Sequence, residues 1–352
     1  MPVIVLCPGQ GSQHVKMGKA WAARHPIAAR TFEEANAILD LDLASLCFEG
    51  PEDLLTRTDM AQAAIFVTTV ACFRALRESG EVGAVAATAG LSLGEFTALH
   101  LAGAFDFASG LKLVRLRGQA MQEAAEATDS GMVALVGADE QQAKELCAEA
   151  RGNEVLVPAN FNCPGQVVVS GSSGACGRAL EVAGKMGLRA AALDVAGAFH
   201  SPLMRPAAER LAEALEQTEW TWCERRSGVV SGGVSGGSGQ GTAVASKVAD
   251  VVSNVTARPH ETDIDSINQR LVEQLTSPVR WSDSMQWLIE NVNGRFIELA
   301  PGKVLSGLMR RIDRRARVEN YANPGGGERR AKSEEEREKR DEVKPRSKID
   351  HE

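Results

Sequence analysis

The segment Gly90-Leu91-Ser92-Leu93-Gly94 sets a serine between glycines two residues away on either side. That spacing suits a nucleophile: a sharp turn lifts the hydroxyl clear of the chain, and residues without a Cβ let the backbone pass closely on both sides. The next amide, that of Leu93, then opens a helical stretch, where an N–H can donate to a developing oxyanion with the helix dipole behind it. A serine hydroxyl needs a base, and the chain has 6 histidines. His200, in Gly197-Ala198-Phe199-His200-Ser201-Pro202, stands in a loop just ahead of a helical stretch. No acid stands out beside it; Asp194, at the end of an apolar run, or Asp139 would have to complete a triad. Pro8-Gly9-Gln10-Gly11-Ser12-Gln13 lacks the lysine of a P-loop and the spacing of a dinucleotide fingerprint, which argues against a nucleotide. Its Gly-Gln-Gly backbone can instead bring an amide near another loop. Arg115 and Arg117 share one helical stretch; Arg115 is expected to face solvent, whereas Arg117, beside Gly118, can reach into a cleft.

The elements around these residues read as an α/β chain. Val3 to Cys7 is a short apolar run ended by Pro8-Gly9, a buried first strand and its turn. Helical periodicity runs over Pro26 to Leu39 and Met60 to Glu78, and Val82 to Ala89 is a strand leading into the serine turn. Helices over Glu95 to Ala102 and Asp106 to Glu126 continue the strand–helix alternation of a sheet layered with helices. The rhythm then changes. Strands at Met132 to Val136, Val155 to Ala159, Gln166 to Ser170 and Arg189 to Leu193, with helices at Glu140 to Ala150 and Ser173 to Met186, give the order βαββαβ of a ferredoxin-like unit. Helix returns at Pro202 to Gln217, followed later by helix Ser282 to Asn291, strand Arg295 to Leu299 and helix Val304 to Ile312. The expected division is a large domain from residues 1–127 and 197–321, with a small domain of residues 128–196 inserted. Residues 227–241, almost entirely Gly, Ser and Val, read as a flexible loop, and the charged stretch 322–352 as a disordered tail unable to bury enough surface to offset its ordering entropy.

Composition narrows the class. The 352 residues are 44% hydrophobic and 24% charged, the ordinary globular range, and the net charge of −7 offers no basic footprint for nucleic acid. The 7 cysteines are scattered without a C-x-x-C pair, so neither a disulfide framework nor a metal site is expected, and a reducing cytoplasm fits best. No basic leader precedes the short run Val3 to Leu6, and no stretch reads as the ~20 apolar residues of a membrane helix. The expectation is a cytoplasmic protein that needs no cofactor, metal, nucleic acid or membrane.

Seven segments then fall in a familiar order: P-G-Q-G-S-Q after the first strand, G-L-S-L-G-E at Ser92, R-L-R-G-Q-A-M-Q at Arg117 and N-F-N-C-P-G-Q at Asn160 to Gln166, then G-A-F-H-S-P-L-M at His200, V-V-S-N-V-T-A at Asn254 and P-G-K-V-L-S-G-L at Pro301. Together they closely resemble the malonyl-CoA:acyl carrier protein transacylase family, over about Met1 to Asn320 without the glycine-rich loop. The resemblance implies an α/β-hydrolase-like large domain with a ferredoxin-like insert. It also implies ping-pong transfer of malonyl from malonyl-CoA to the phosphopantetheine thiol of an acyl carrier protein, for fatty acid synthesis. Ser92 would be the nucleophile, His200 the base, and the Gln10 and Leu93 amides the oxyanion donors. Arg117 would hold the malonyl carboxylate, and the backbone carbonyl of Asn254 would orient His200. Asn162, Gln166 and Phe199 fall in the implied substrate pocket, Phe199 at a position associated with malonyl selection.

Leu91 stands where many members have histidine, and Cys163 where serine is common, so a polar group is lost at each. An acyltransferase of a polyketide pathway would share every one of these residues. A serine esterase or thioesterase would share the serine turn but has no need of Arg117, and a silent carrier-binding subunit would not need the set at all. The chain is expected to act as a monomer. Because it is itself acidic, an acidic carrier must dock on a local basic patch, and Arg310, Arg311, Arg314, Arg315 and Arg317 form the densest one.

Overall fold

The computed structural model describes residues 1–222, 249–261 and 263–326; the loop 227–241 and all but the first five residues of the charged tail lie outside the described residues. Two sheets organise the chain. The first is parallel, with strands β1 (Val3–Cys7), β2 (Val85–Gly90), β7 (Asp250–Val252), β8 (Arg295–Leu299) and β9 (Val318–Tyr321) in the order β7-β2-β1-β8-β9. β1 is its centre, in register with β2 on one side (Cys7 opposite Gly90) and β8 on the other (Leu6 opposite Glu298). Every residue of β1 is buried, as a strand covered on both faces must be. Val3, Val5 and Cys7 face one apolar layer and Ile4 and Leu6 the other, the alternation that the pleat dictates.

On the first of these faces lie helices α5 (Thr58–Glu78), α6 (Leu93–Leu101) and α7 (Phe107–Glu126). α5 alone is long and apolar enough, among the described residues, to cross a bilayer, which the composition reading did not recognise. It is the core helix of this layer: Ala63, Phe66, Val67 and Val70 are fully buried, and most of its apolar window lies inside the fold. Leading into this layer are α1 (Lys19–Arg24), α2 (Pro26–Leu39), α3 (Leu43–Glu49) and α4 (Glu52–Thr56); later helices are α10 (Arg205–Glu216), α11 (Ile264–Gln274), α12 (Trp281–Asn291) and α13 (Val304–Ile312).

The second sheet is antiparallel, in the order β4-β5-β3-β6, from β3 (Ser130–Val136), β4 (Leu156–Cys163), β5 (Gln166–Ser172) and β6 (Arg189–Ala192), with α8 (Glu140–Ala150) and α9 (Ser173–Lys185) between them in the chain. It has its own apolar cluster of Val133, Leu135, Leu146, Val169 and Ala179. β4 runs four residues past the expected end, so Asn160 and Asn162 lie on a strand rather than in a loop. There it meets the larger unit, where Phe161 N–H donates to the Val279 carbonyl and Val279 N–H to that of Ala159.

Five elements form at the boundaries that periodicity sets: β1, α2, α8, β8 and α13. Others shift. The expected helix Pro202 to Gln217 opens as a 3₁₀ turn, Pro202–Met204, before α10. Short β7 and β9, and helices α1, α3, α4 and α11, were not expected at all. For α11 the signal was there: Asp263 caps it by accepting from Ser266 N–H, and Ile264, Ile267 and Leu271 recur at helical spacing.

Candidate active site

The carboxyl ends of β1 and β2 lie side by side, and the loops that leave these two ends carry the site. The loop after β2 carries Ser92 and the loop after β1 carries Gln10. Ser92 has φ 53° and ψ −105°, a strained conformation for a side chain with a Cβ, and α6 begins at the next residue. The flanking glycines are sterically required. A Cβ at Gly90 would lie 1.8 Å from the Gly94 carbonyl carbon, and one at Gly94 would lie 2.2 Å from the Cys7 carbonyl oxygen. Gly9 likewise passes the Leu91 carbonyl so closely that a Cβ would sit 2.3 Å from it. The Gly9–Gln10 turn therefore lies directly against the serine turn. The amides of Gln10 and Leu93 have no hydrogen-bond acceptor among the described residues.

His200 Nε2 lies 2.9 Å from Ser92 Oγ. Its Nδ1 faces the carbonyl of Gln274 at 2.8 Å. A carbonyl only accepts, so Nδ1 carries the hydrogen and Nε2 is free to take the proton of Ser92. This corrects the expectation for Asn254. The Asn254 carbonyl accepts from Arg280 N–H at 2.9 Å, turned away from the histidine. β7 ends just before Asn254 and carries it to the serine turn, whereas Gln274 closes α11, where terminal carbonyls have no helical partner and can face a ligand. The Asn254 side chain staples the serine turn: its Oδ1 accepts from Ser92 N–H at 2.6 Å and its Nδ2 donates to the Gly90 carbonyl at 2.7 Å. Asp194 is exposed and Asp139 caps α8 by accepting from Gln142 N–H, so neither supplies an acid to His200. Burial, and then the Arg117 charge, push His200 down to about 4, which keeps it a neutral base.

Arg117 is fully buried on α7. Gly118 beside it lets α7 close on α5, for a Cβ there would meet the Thr58 carbonyl at 2.7 Å. Its guanidinium donates to Gln62 Oε1 at 2.7 Å, Gln274 Oε1 at 2.8 Å and Ser92 Oγ at 3.0 Å, and sits over the Phe96 ring. All three acceptors are neutral, and Nε is buried without a partner. Desolvation pulls this guanidinium down to about 9, opposed by the Glu95 charge. Arg115, expected in solvent, is half-buried and donates to the Asp59 carbonyl. Gln10 Nε2 is tied to Thr58 Oγ1 at 3.1 Å, and Phe199 is buried next to His200. Asn162 is half-buried on β4, and Gln166 accepts from Arg311 at 3.2 Å; neither is hydrogen-bonded to the Ser92 cluster. Among the described residues no group of His, Cys, Asp and Glu is arranged to hold a metal ion.

A polarised serine at a strained turn, a neutral histidine on it and two unpaired amides beside it form an arrangement whose chemistry suits acyl transfer. Residues 4–230 match the acyl transferase domain family. The chain belongs to the acyl transferase family. Malonyl CoA-acyl carrier protein transacylase of Bacillus subtilis is 39% identical over 325 residues, 92% of this chain and 94% of that protein. The crystal structure of malonyl-CoA:acyl carrier protein transacylase from Xanthomonas oryzae superposes with a TM-score of 0.83 at 38% identity, covering 95% of this chain and 99% of that one. A malonyl-transacylase solved in complex with a type II polyketide synthase acyl-carrier protein gives a TM-score of 0.83 at 34% identity, covering 93% of this chain and 97% of that one.

Sequence reasoning missed three parts of this acyl transferase's site. Gln274 holds His200, Arg117 and, through Nε2, the Ser92 carbonyl at 3.1 Å, yet it closes a helix that was not expected. Gln62 lies on α5 among apolar residues and only burial marks it. Glu95 stood in the quoted serine motif without a task.

Proposed function

We propose that this acyl transferase moves a malonyl group from malonyl-CoA to the phosphopantetheine thiol of an acyl carrier protein, supplying fatty acid synthesis. Ser92 Oγ attacks the thioester carbonyl as its proton passes to His200 Nε2. The Gln10 and Leu93 amides take the oxyanion, each contributing about 10²–10³ in rate. Collapse breaks the C–S bond, the CoA sulfur leaves with the proton held by His200, and a malonyl ester stays on Ser92. The carrier thiol then gives its proton to His200 and attacks the ester, and Ser92 recovers the proton as it leaves. The Gln274 carbonyl holds the tautomer without a triad carboxylate, which suffices for a thioester, an intrinsically reactive acyl donor.

The observation that carries the malonyl assignment is Arg117: a fully buried cation, 3.0 Å from the nucleophilic oxygen, whose hydrogen-bond partners among the described residues are all neutral side chains. A malonyl carboxylate is separated from the reacting carbonyl by one methylene, so a donor seated at Ser92 brings its carboxylate to that guanidinium, where a planar fork binds it well. This reading assigns Asn162, Gln166 and Phe199 to the acyl pocket, and the burial of Phe199 beside His200 supports it for that residue. The parallel sheet supports reading 1–127 and 197–321 as an α/β-hydrolase-like domain, and the strand order β4-β5-β3-β6 supports reading 128–196 as a ferredoxin-like insert. Intact-mass measurement after incubation with malonyl-CoA tests the reading: the parent protein gains one malonyl group, and Ser92→Ala gains none. An adduct of undiminished stoichiometry on the variant would show that another residue is the nucleophile. A polyketide carrier is the second reading, supported by the 34% identical relative solved with such a carrier; relative kcat/KM for the two kinds of carrier separates them.

A further inference from the structure

Glu95 is a fully buried carboxylate one turn into α6, three residues beyond the nucleophile. Its surroundings are all donors. Oε2 accepts from Gln274 Nε2 at 2.6 Å and from Asn254 N–H at 3.1 Å, and Oε1 from His260 Nε2 at 2.6 Å. The Gln274 amide is thereby polarised: its NH₂ faces Glu95 and the Ser92 carbonyl, so its Oε1 must face Arg117, which only donates. A buried guanidinium with neutral ligands needs an anion nearby, since an uncompensated charge in a dry interior is costly. Before the acyl donor arrives, Glu95 is the anion that the described residues provide.

We propose that Glu95 is a positioning residue for the reaction above: its buried carboxylate is the counter-charge that, through Gln274, keeps the Arg117 guanidinium cationic and aimed at the donor's carboxylate. The ionisable groups facing Arg117 are Glu95 from α6 and His200 from the loop ahead of α10, with His260 behind Glu95. Its remaining neighbours, Gln62 on α5, Phe96 on α6 and Gln274 on α11, are uncharged. The Glu95 charge opposes the downward push of burial on Arg117, consistent with this arrangement. His260 belongs to the same device. Its Nε2–H fixes Oε1, and its Nδ1 is buried without a partner, so its bond to Glu95 is the one the fold uses.

The inference rests on the malonyl reading, and the test separates the two. Glu95→Gln keeps volume and an oxygen for Asn254 and Gln274, and directs its NH₂ at His260, which accepts it by a change of tautomer; only the charge is removed. Acyl-enzyme formation from malonyl-CoA and from acetyl-CoA would be timed by quenched-flow mass spectrometry across the alkaline range. The expected result for Glu95→Gln is an alkaline limb for malonyl moved to lower pH, and a slower malonyl reaction on that limb. Acetyl transfer, which needs no cationic Arg117, should follow the parent. Glu95→Asp keeps the charge, so it should retain the parent's limb and malonyl-to-acetyl ratio even if both rates fall. An unmoved limb in Glu95→Gln, or an equal fall for both donors at every pH, would overturn the proposal and leave Glu95 a structural residue. If Glu95→Gln does not fold, loss of the malonyl preference in Glu95→Asp overturns it equally, because the charge is then present and the selectivity gone. Failure of the parent itself to form a malonyl adduct would instead defeat the functional reading.

Discussion

Replacing Arg117 by alanine isolates what the guanidinium does for each donor. In the folded protein it donates to Ser92 Oγ, Gln62 and Gln274, and its Nε is buried without a partner, so donor capacity remains. A charge-assisted hydrogen bond is worth about 1.5–3 kcal/mol, so a two-pronged pair with a malonyl carboxylate contributes about 3–6 kcal/mol. Lost from the transition state, that is a fall of about 10²–10⁴ in kcat/KM for malonyl-CoA. Acetyl-CoA makes no such pair. Removal of the donor to Ser92 Oγ slows both substrates alike, so it cancels in the ratio of their kcat/KM values. The malonyl-to-acetyl ratio should therefore collapse by about 10²–10⁴, measured by letting the two thioesters compete and weighing the acyl-enzymes. Gln62 and Gln274 each lose a donor, about 1–3 kcal/mol apiece when unsatisfied, so a lower melting temperature accompanies the change. A ratio equal to the parent's, in a folded variant, would refute the assignment of the carboxylate to Arg117.

The pH profile of the malonyl half-reaction should stay flat far below neutrality, because His200 is held down to about 4 and remains a base until then; a limb near the ordinary value of 6.5 would show that its site is wetter than the geometry indicates. The unfolded chain binds a proton on this histidine below 6.5 that the folded state refuses until about 4, so His200 makes stability fall as pH drops through that window. Gly94→Ala should cost about 3 kcal/mol or more by forcing a Cβ onto the Cys7 carbonyl, whereas Gly83→Ala, with open space around it, should leave the denaturation midpoint near the parent's. Reversing Arg314 and Arg315 to glutamate should raise KM for the carrier protein, less so in high salt, with self-malonylation unchanged. In the fold Arg314 is exposed on the segment after α13, while Arg311 is engaged with Gln166 and the Pro164 carbonyl at the β4–β5 turn; equal carrier KM at low ionic strength would move the docking surface elsewhere.

Ser92 and Leu93 could be singled out from local sequence, because the serine turn is a locally determined setting; Gln10 and Arg117 drew their roles from the resemblance of their segments to the family, and His200 was a candidate base from its loop alone. A strand that ends in G-x-S-x-G can turn only where its glycines permit, so Gly90 and Gly94 announce the serine without any distant contact. The two rhythms of periodicity likewise separated the parallel sheet from the antiparallel one, since the pattern of buried residues along an element depends on that element's own geometry. What orients His200 was not legible. The Gln274 carbonyl lies 74 residues from it in sequence, and a backbone carbonyl carries no side-chain signature; every residue has one. Asn254, the residue that resemblance put in that place, supports the serine turn by its side chain instead, a difference set by which way β7 delivers it. Glu95 shows the same division. Its presence beside the nucleophile could be read directly, but its partners Asn254, His260 and Gln274 lie 159, 165 and 179 residues away, and only folding brings their donors onto one carboxylate. Local sterics and periodicity write themselves into neighbouring residues; the polarity of a buried network depends on which distant groups share the same dry volume.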